Sequence, residues 1–158
     1  MERKYPDRPI IGVGGIVFEG DRVLLVKRGH DPGKGQWSIP GGVVRVGETL
    51  KEAVVREVLE ETNLNVEVLT LVKVLDRIFR DGSGRVAYHY ILVDFLCEGG
   101  DGQLRADSDA EEARFFQIEE LPPLKLAPIT EEVILRADWM RNHPQTWTSM
   151  QGAGDYYR

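Results

Sequence analysis

The segment REVLEETNL, from Arg56 to Leu64, gathers three glutamates within five residues of a helix-forming stretch. At about 100° of rotation per residue, Glu57 and Glu61 fall within about 20° of Leu50, which starts an apolar stripe that Val54 continues. Like charges spaced i,i+4 repel each other, and an apolar edge removes water from them. A solvated acidic face would not point these acids toward a core. A hard divalent cation resolves the conflict, because it binds a few carboxylates together with substrate phosphates.

The helix that carries this segment is predicted to span Thr49 to Thr62. Thr49, followed three residues later by Glu52, fits a capping box at the start of the helix. Asn63 stands where the helix should end in a left-handed conformation, which asparagine tolerates. Glu48, just before the helix, places an acid near the positive end of the helix dipole.

The rest of the chain is predicted to form strands and one further helix. Strands are predicted at Ile10–Phe18, Arg22–Val26, Val66–Phe79, Val86–Leu96 and Ala113–Ile118, and a second helix at Glu131–Met140. A loop rich in glycine and proline runs from His30 to Gly42, and residues 143–158 are expected to form a loosely held tail. This order predicts one domain over residues 1–142, an α/β fold in which helices sandwich a mixed β-sheet as α/β/α layers.

Composition narrows the class of protein. A chain of 158 residues suits one well-filled domain. The formal net charge of −6 argues against binding to nucleic-acid backbone, although a bound cation could still let a small phosphorylated substrate approach. Cys97 is the only cysteine and no signal peptide or membrane span is evident, so we expect a cytoplasmic protein with no membrane contact. The long apolar strands make a homodimer plausible.

The spacing around the acidic helix carries a family resemblance. The chain has Gly42, then five residues, Glu48, then seven residues, and then REVLEETNL. This spacing closely resembles the Nudix box, G-x5-E-x7-R-E-U-x-E-E-x-G-U, where U is a bulky aliphatic residue. Asn63 stands in place of the last glycine, and it suits the same left-handed position. The flanks GQWSIPGG and DAEEARFFQIEELP also look like those of Nudix proteins, so the resemblance extends from about Pro9 to Ala137.

The resemblance implies a Nudix fold that hydrolyses a nucleoside diphosphate linked to another group, using Mg²⁺ or Mn²⁺. By position, Glu57 and Glu61 would be the principal metal ligands. Glu60 and the carbonyl of Gly41 would add further contacts. The remaining box positions, Gly42 among them, would support these ligands: Arg56 orients the catalytic glutamate and Glu48 supports the junction of loop and helix. Gly41 and Gly42 themselves are expected to allow close backbone approach to the metal and a tight turn.

The residue that takes the proton from water is left open by the box. Glu57 is one candidate, and Glu112 or Glu111 in the downstream segment is another. Glu112 is preferred of the two because it stands immediately before the predicted strand at 113–118. A solvated loop acid is the alternative interpretation of Glu112.

Two basic residues before the box could contact phosphates: Arg28 at the end of a strand and Lys34 in the loop. Ordinary surface charge explains either residue equally simply. Trp37 is expected to pack under the loop, and His30 and His89 lack the partner spacing of a transition-metal site.

Substrate identity is not dictated by the box. The overall pattern looks most like that of proteins that cleave ADP-ribose or related nucleotide sugars. One alternative is a hydrolase of canonical or oxidised nucleoside triphosphates. Another, of a different class, is a Nudix-fold binding or regulatory module that has lost catalysis, but such a module would be expected to lose the box acids that this chain keeps.

Overall fold

The structure is a computed structural model that describes residues 2–151, and the side chains of residues 2–148. Its strands are β1 (Ile10–Glu19), β2 (Arg22–Arg28), β3 (Trp37–Ser38), β4 (Gly41–Val43), β5 (Val66–Arg80), β6 (Val86–Gly99) and β7 (Ala110–Gln117). Its α-helices are α1 (Leu50–Thr62), α2 (Pro128–Asn142) and α3 (Gln145–Gln151). None of the helices within residues 2–151 has the length and apolar character that a membrane crossing requires.

The strands form one mixed sheet with the order β3-β2-β1-β6-β5, to which β4 adds against β1 and β7 against β2. Strand β1 runs parallel to β6 over its whole central length, while β5 and β6 form a long antiparallel hairpin. The other edge of β1 pairs with β4 near Gly14 and with β2 at Phe18 and Glu19. The short strand β4, which precedes α1, is therefore held directly against the middle of the sheet.

Two apolar cores lie on opposite faces of the sheet. Alternation along β1 separates them, since Val13 and Val17 belong to the core under α1, whereas Ile16 and Phe18 belong to the core under α2. The sheet is therefore covered by helices on both faces, and the α/β/α layering predicted from the sequence is confirmed.

The loop before α1 and the segment after β6 differ from the predicted elements. Strands β3 and β4 fall inside the stretch from His30 to Gly42 that we expected to be irregular. Strand β7 begins at Ala110, so Glu112 lies within the strand and not immediately before it. Ladder bonds to β2 account for this extension, because Lys27 pairs with Glu112 and Arg28 with Ala110.

The predicted tail begins as regular structure. Residues 145–151 form α3, where we expected a loosely held segment. The indole Nε1 of Trp147 donates a hydrogen bond to the carbonyl of Met140 at 2.8 Å, and its ring packs against the core under α2. Residues 152–158 of that predicted tail lie outside the described residues.

Candidate active site

The helix that presents the acids has the ends expected from its sequence. Thr49 accepts a hydrogen bond from the backbone N–H of Glu52 at 3.2 Å, and the Glu52 carboxylate accepts one from the N–H of Thr49 at 2.8 Å. Asn63 ends the helix in the left-handed region with φ 63°, and its N–H bonds to the carbonyl of Leu59. The predicted capping box and the role of Asn63 as helix stop are confirmed.

The two glutamates that the helix wheel places nearest the apolar stripe, Glu57 and Glu61, are more buried than Glu60. Glu61 is 6% exposed, and the side chains of Glu57 and Glu60 are 14% and 37% exposed. The backbone N–H of Gly41 donates to Oε2 of Glu61 at 3.0 Å. Even so, burial raises the pKa of Glu61 to about 8, and the nearby charge of Glu57 pushes it the same way. The ionised form of Glu61 is therefore disfavoured, both by burial and by the second carboxylate.

Arg56 connects three of the acids around it. Its Nε and Nη2 donate to the two carboxylate oxygens of Glu48 at 2.5 and 3.0 Å. Its Nη1 donates to Glu57 at 2.8 Å and to Glu60 at 3.2 Å, and Nη2 also reaches the carbonyl of Val43 at 3.0 Å. The hydrogen bonds that Arg56 donates to Glu48 lower the pKa of Glu48 to about 2, and the same bonds raise the pKa of Arg56. This fork joins the loop before α1, strand β4 and the helix.

Glycines 41 and 42 make room for specific neighbours. A Cβ at Gly41 would stand less than 3.0 Å from the carbonyl oxygen of Val13, which closes off any side chain there. A Cβ at Gly42 would stand less than 3.0 Å from the Glu57 carboxylate. Both glycines lie in strand β4 and neither has a positive φ, so the tight turn expected at this pair is not present. Close packing against β1 and Glu57 explains them.

A cleft opens beside this cluster on the α2 face of the sheet. Its lining includes Glu57, Gly41 and Gly42 at one end, and Arg3, Arg28, Arg77, Asp94 and Asp109 elsewhere. Burial lowers the pKa of Arg28 and of Arg77, and the charge of Arg28 lowers that of Arg77 further. Two partly buried guanidinium groups that repel each other favour an anion between them.

The other predicted site residues are distributed unevenly. Arg28 lines the cleft, and its Nε donates to the carbonyl of Pro32 at 2.8 Å. Lys34 is exposed and is not part of the cleft lining. Glu112 is also exposed, outside the cleft lining, and forms a 3.2 Å ion pair with Lys27.

Asp109 is the acid of the downstream loop that lines the cleft. It lies 3.4 Å from Nε2 of His30, and its charge contributes to the raised pKa of Glu61. Its backbone carbonyl is fixed by the N–H of Gly29 at 2.8 Å. Asp109 was not among the acids predicted from the sequence, which were Glu111 and Glu112; it stands two residues before Glu111.

Arg77 and Asp94 were also missed. Both belong to long apolar strands, β5 and β6, whose sequences indicated a role in the fold and not in the site. One signal was available: the run YILVDFL interrupts an apolar strand with a single carboxylate, and charged residues are rarely buried without a purpose. Arg77 offered a weaker signal, because charged residues are common on the exposed face of an edge strand.

The acid set fits a hard divalent cation. The charge of Glu57 acts on Glu61, and burial disfavours the ionised form of Glu61, so a positive ion nearby would stabilise that form. Among the described residues, no three His, Cys, Asp or Glu side chains stand close enough together to hold an ion by themselves. A divalent cation held by so few carboxylates would complete its coordination with substrate phosphates and water.

Comparison with known proteins places the chain in a family. A family model described as the NUDIX domain matches residues 8–137. The chain is 42% identical over 133 residues to an ADP-ribose pyrophosphatase from Methanocaldococcus jannaschii, covering 84% of this chain and 74% of that protein. The chain belongs to the Nudix hydrolase family, as the box spacing indicated, and hydrolases of this family generally use divalent metal ions.

Solved structures agree with this assignment. A MutT NUDIX hydrolase from Burkholderia pseudomallei is 30% identical with a TM-score of 0.72, and the match covers 82% of this chain and 98% of that one. An ADP-ribose pyrophosphatase from Streptococcus suis is 31% identical with a TM-score of 0.63, covering 82% of this chain and 90% of that one.

Proposed function

We propose that this protein hydrolyses the pyrophosphate bond of a nucleoside diphosphate linked to another group. The proposed substrate is ADP-ribose or a related nucleotide sugar, and the proposed cofactor is Mg²⁺ or Mn²⁺. The observation that carries the proposal is the meeting of Glu57 and Glu61 beside Gly41 at one end of a cleft that Arg28 and Arg77 also line. The relatives from M. jannaschii and S. suis, both named ADP-ribose pyrophosphatases, support the choice of substrate.

Metal binding would fall to the acids of α1. Glu57 and Glu61 would be the principal ligands, with Glu60 as an additional or water-mediated contact and the carbonyl of Gly41 as another. A bound divalent cation would neutralise charge on the phosphoryl oxygens and activate the attacking water. Arg56 would keep the Glu57 carboxylate oriented, and Glu48 would hold Arg56 by its two-point contact.

Phosphate binding would fall to the arginines of the cleft. Arg28 is fixed by the Pro32 carbonyl, and Arg77 stands across the sheet on β5. The anionic diphosphate would relieve the repulsion between them and balance the positive charge. Lys34, which is exposed outside the lining, would contribute less than Arg28.

The water must lose its proton to a carboxylate. Glu57 remains a candidate from the box. Of the two downstream acids, Asp109 is better placed than Glu112, because Asp109 lines the cleft while Glu112 pairs with Lys27 at the surface. We therefore propose Glu57 or Asp109 as the proton acceptor, and the variants Asp109→Asn and Glu112→Gln separate the two downstream candidates.

The test is turnover with a substrate panel in the presence of Mg²⁺. The panel contains ADP-ribose, other nucleotide sugars, dinucleoside polyphosphates and nucleoside triphosphates, with products separated by chromatography. AMP plus ribose 5-phosphate from ADP-ribose supports the proposal. Glu61→Gln should abolish this turnover while preserving the fold, and Glu67→Gln, at an exposed position on β5, is the matched control. Full activity in Glu61→Gln would overturn the site assignment.

Other products would point to the alternatives. Nucleoside monophosphate plus pyrophosphate from a triphosphate, at higher kcat/KM than for ADP-ribose, would identify a triphosphate hydrolase. Binding of nucleotides without turnover of any panel member would identify a binding module.

A homodimer, a cytoplasmic location and the absence of nucleic-acid binding are further proposals. Val74 and Ile78 support the dimer, because they are 50% and 47% exposed on the edge strand β5. Light scattering of the wild type and of Val74→Glu tests it: the wild type should have twice the monomer mass and the variant a reduced mass. A monomeric wild type would exclude it.

A further inference from the structure

Two glycines of β1, Gly12 and Gly14, line the cleft. In the parallel register of β1 and β6, Gly12 lies beside Leu92 and Gly14 beside Asp94. A Cβ at Gly12 would stand 2.7 Å from the Leu92 side chain. A Cβ at Gly14 would stand less than 3.0 Å from Oδ1 of Asp94 and from the Ile39 side chain. The Asp94 carboxylate therefore extends into the space that a side chain at Gly14 would occupy.

Asp94 is a buried carboxylate to which no described residue donates a hydrogen bond. It is 4% exposed and lines the cleft, yet within the described part of the chain its side chain makes no hydrogen bond or ion pair. Burial raises the pKa of Asp94 to about 7, an effect that the charge of Arg77 opposes. Buried polar groups are normally hydrogen-bonded, so a carboxylate left without a donor on a cleft wall is poised to receive one from a ligand.

The position of Asp94 relative to the metal-binding end sets which part of a substrate it can reach. Gly14 pairs with Gly41 on one side and with Asp94 on the other. Adjacent strands are about 4.8 Å apart, so Asp94 lies about 10 Å across the sheet from the Gly41 backbone that contacts Glu61. Neither Glu57 nor Glu61 is among the charges that act on Asp94, and within residues 2–148 no three acidic side chains are grouped closely enough to share an ion. Asp94 is therefore separate from the acids of the cation site and can contact a group beyond the phosphate under attack.

We propose that Asp94 is a specificity-determining residue that accepts hydrogen bonds from the hydroxyl groups of a pentose on the substrate and disfavours a further phosphate at that place. This inference rests on the proposed function, and it identifies the part of the substrate that the same site recognises. An ionised carboxylate accepts hydrogen bonds and offers none, so it matches hydroxyl donors. The same charge repels a phosphate oxygen. Arg77, whose charge acts on Asp94, would bind the adjoining phosphate and so position the pentose against Asp94.

The kinetic test compares Asp94→Asn with the wild type on ADP-ribose and ATP in Mg²⁺. The amide has the same shape, but it lacks the charge that strengthens hydrogen bonds from hydroxyl groups. We expect KM for ADP-ribose to rise about tenfold while kcat stays within about threefold, as the loss of one charge-assisted bond predicts. The ratio of kcat/KM for ADP-ribose to that for ATP should fall about tenfold. Asp76→Asn, exposed on neighbouring β5, should leave the ratio unchanged.

A binding test needs no turnover and separates the two pentoses. AMP and ribose 5-phosphate are titrated separately into the wild type and Asp94→Asn, with calorimetric detection and thermal unfolding as the check of folding. Weaker binding of AMP alone assigns the adenosine ribose to Asp94, and weaker binding of ribose 5-phosphate alone assigns the terminal ribose. Dissociation constants for both compounds within about twofold of wild type would overturn the proposal, since a lost charge-assisted bond should exceed that change.

Failure of the proposed function is distinct from failure of this inference. A wild type that cleaves no diphosphate refutes the proposed function, and the binding titrations still decide the role of Asp94. A wild type that cleaves ADP-ribose, with the ratio of kcat/KM values unchanged in Asp94→Asn, refutes the inference about Asp94 alone.

Discussion

The carboxylate of Glu57 fills the space that a side chain at Gly42 would occupy. A Cβ at that position would stand less than 3.0 Å from the Glu57 carboxylate carbon and both of its oxygens. Gly42 belongs to β4, which is held against β1, and Glu57 belongs to α1, so the contact joins the loop before the helix to the acid that the helix presents. Arg56 holds the same carboxylate from the other side at 2.8 Å.

Gly42→Ala should therefore disturb the site more than the fold. The backbone at Gly42 does not have a positive φ, so alanine is compatible with it, and Glu57 is the flexible partner that must move. We expect metal-dependent kcat/KM to fall by about 10- to 100-fold, the range typical of a displaced supporting contact at a metal site. Thermal unfolding should change little. Gly82→Ala is the control, because a Cβ at Gly82 meets no atom within 4 Å, and equal activity in both variants would contradict the prediction.

Arg56→Lys should lower both activity and stability while keeping the charge. Lysine cannot reproduce the two-point contact to Glu48 and the simultaneous bond to Glu57, because its ammonium is a single point. We expect activity to fall about 10- to 100-fold. The free energy of unfolding should fall by about 1–3 kcal/mol, measured by urea denaturation. Arg136→Lys, at an exposed position of α2, should match the wild type in both measurements.

Variants of Asp109 and Glu112 should separate the two downstream acids, one in the loop before β7 and the other within β7. Asp109 lines the cleft, whereas Glu112 forms an ion pair with Lys27 at the surface. A surface ion pair of this kind is worth about 0–1 kcal/mol, so we expect Glu112→Gln to keep activity and fold. Asp109→Asn should lower kcat by about 100-fold, as the loss of a general base does. The reverse order of the two effects, measured on ADP-ribose with Mg²⁺, would restore Glu112 as the proton acceptor.

Local patterns in the sequence were sufficient for the acidic helix. The helix period orients Glu57 and Glu61 toward the sheet, and the capping box and Asn63 mark its two ends. These features depend on residues within one turn of each other, so no knowledge of the partner elements was needed. The same period places Glu60 farther from the apolar stripe, and its side chain is the most exposed of the three at 37%.

The cleft could not be predicted in the same way, because distant pairings create it. Asp94 lines the cleft because β6 runs parallel to β1 in a register that places Asp94 beside Gly14, 80 positions earlier in the chain. Alternation indicates which residues of a strand share a face, but not which strand lies next to it. Trp147 is a similar case, because its contact with Met140 depends on α3 folding back against α2.

Stability of the metal-free protein should fall as pH rises from about 5 to about 8. Burial raises the pKa of Glu61 from 4.5 to about 8 and that of Asp94 from 3.8 to about 7. The folded protein thus binds protons at these sites that the unfolded chain has released, and the slope of the unfolding free energy with pH is negative there. The contribution is complete below the unfolded pKa values and lost once pH exceeds the folded ones. His30, whose pKa is lowered, acts in the opposite sense near its ordinary value.

Comparison with variants isolates the two acids from His30. In chelator, Tm of the wild type minus that of the Glu61→Gln, Asp94→Asn double variant should be higher at pH 5 than at pH 8.5. A difference of about 2 °C or more is expected, which corresponds to about 1 kcal/mol of unfolding free energy. A saturating divalent cation should reduce the contribution of Glu61 to this slope, because a cation stabilises the ionised carboxylate. A difference in Tm that does not change with pH would show that neither acid has a raised pKa in the folded protein.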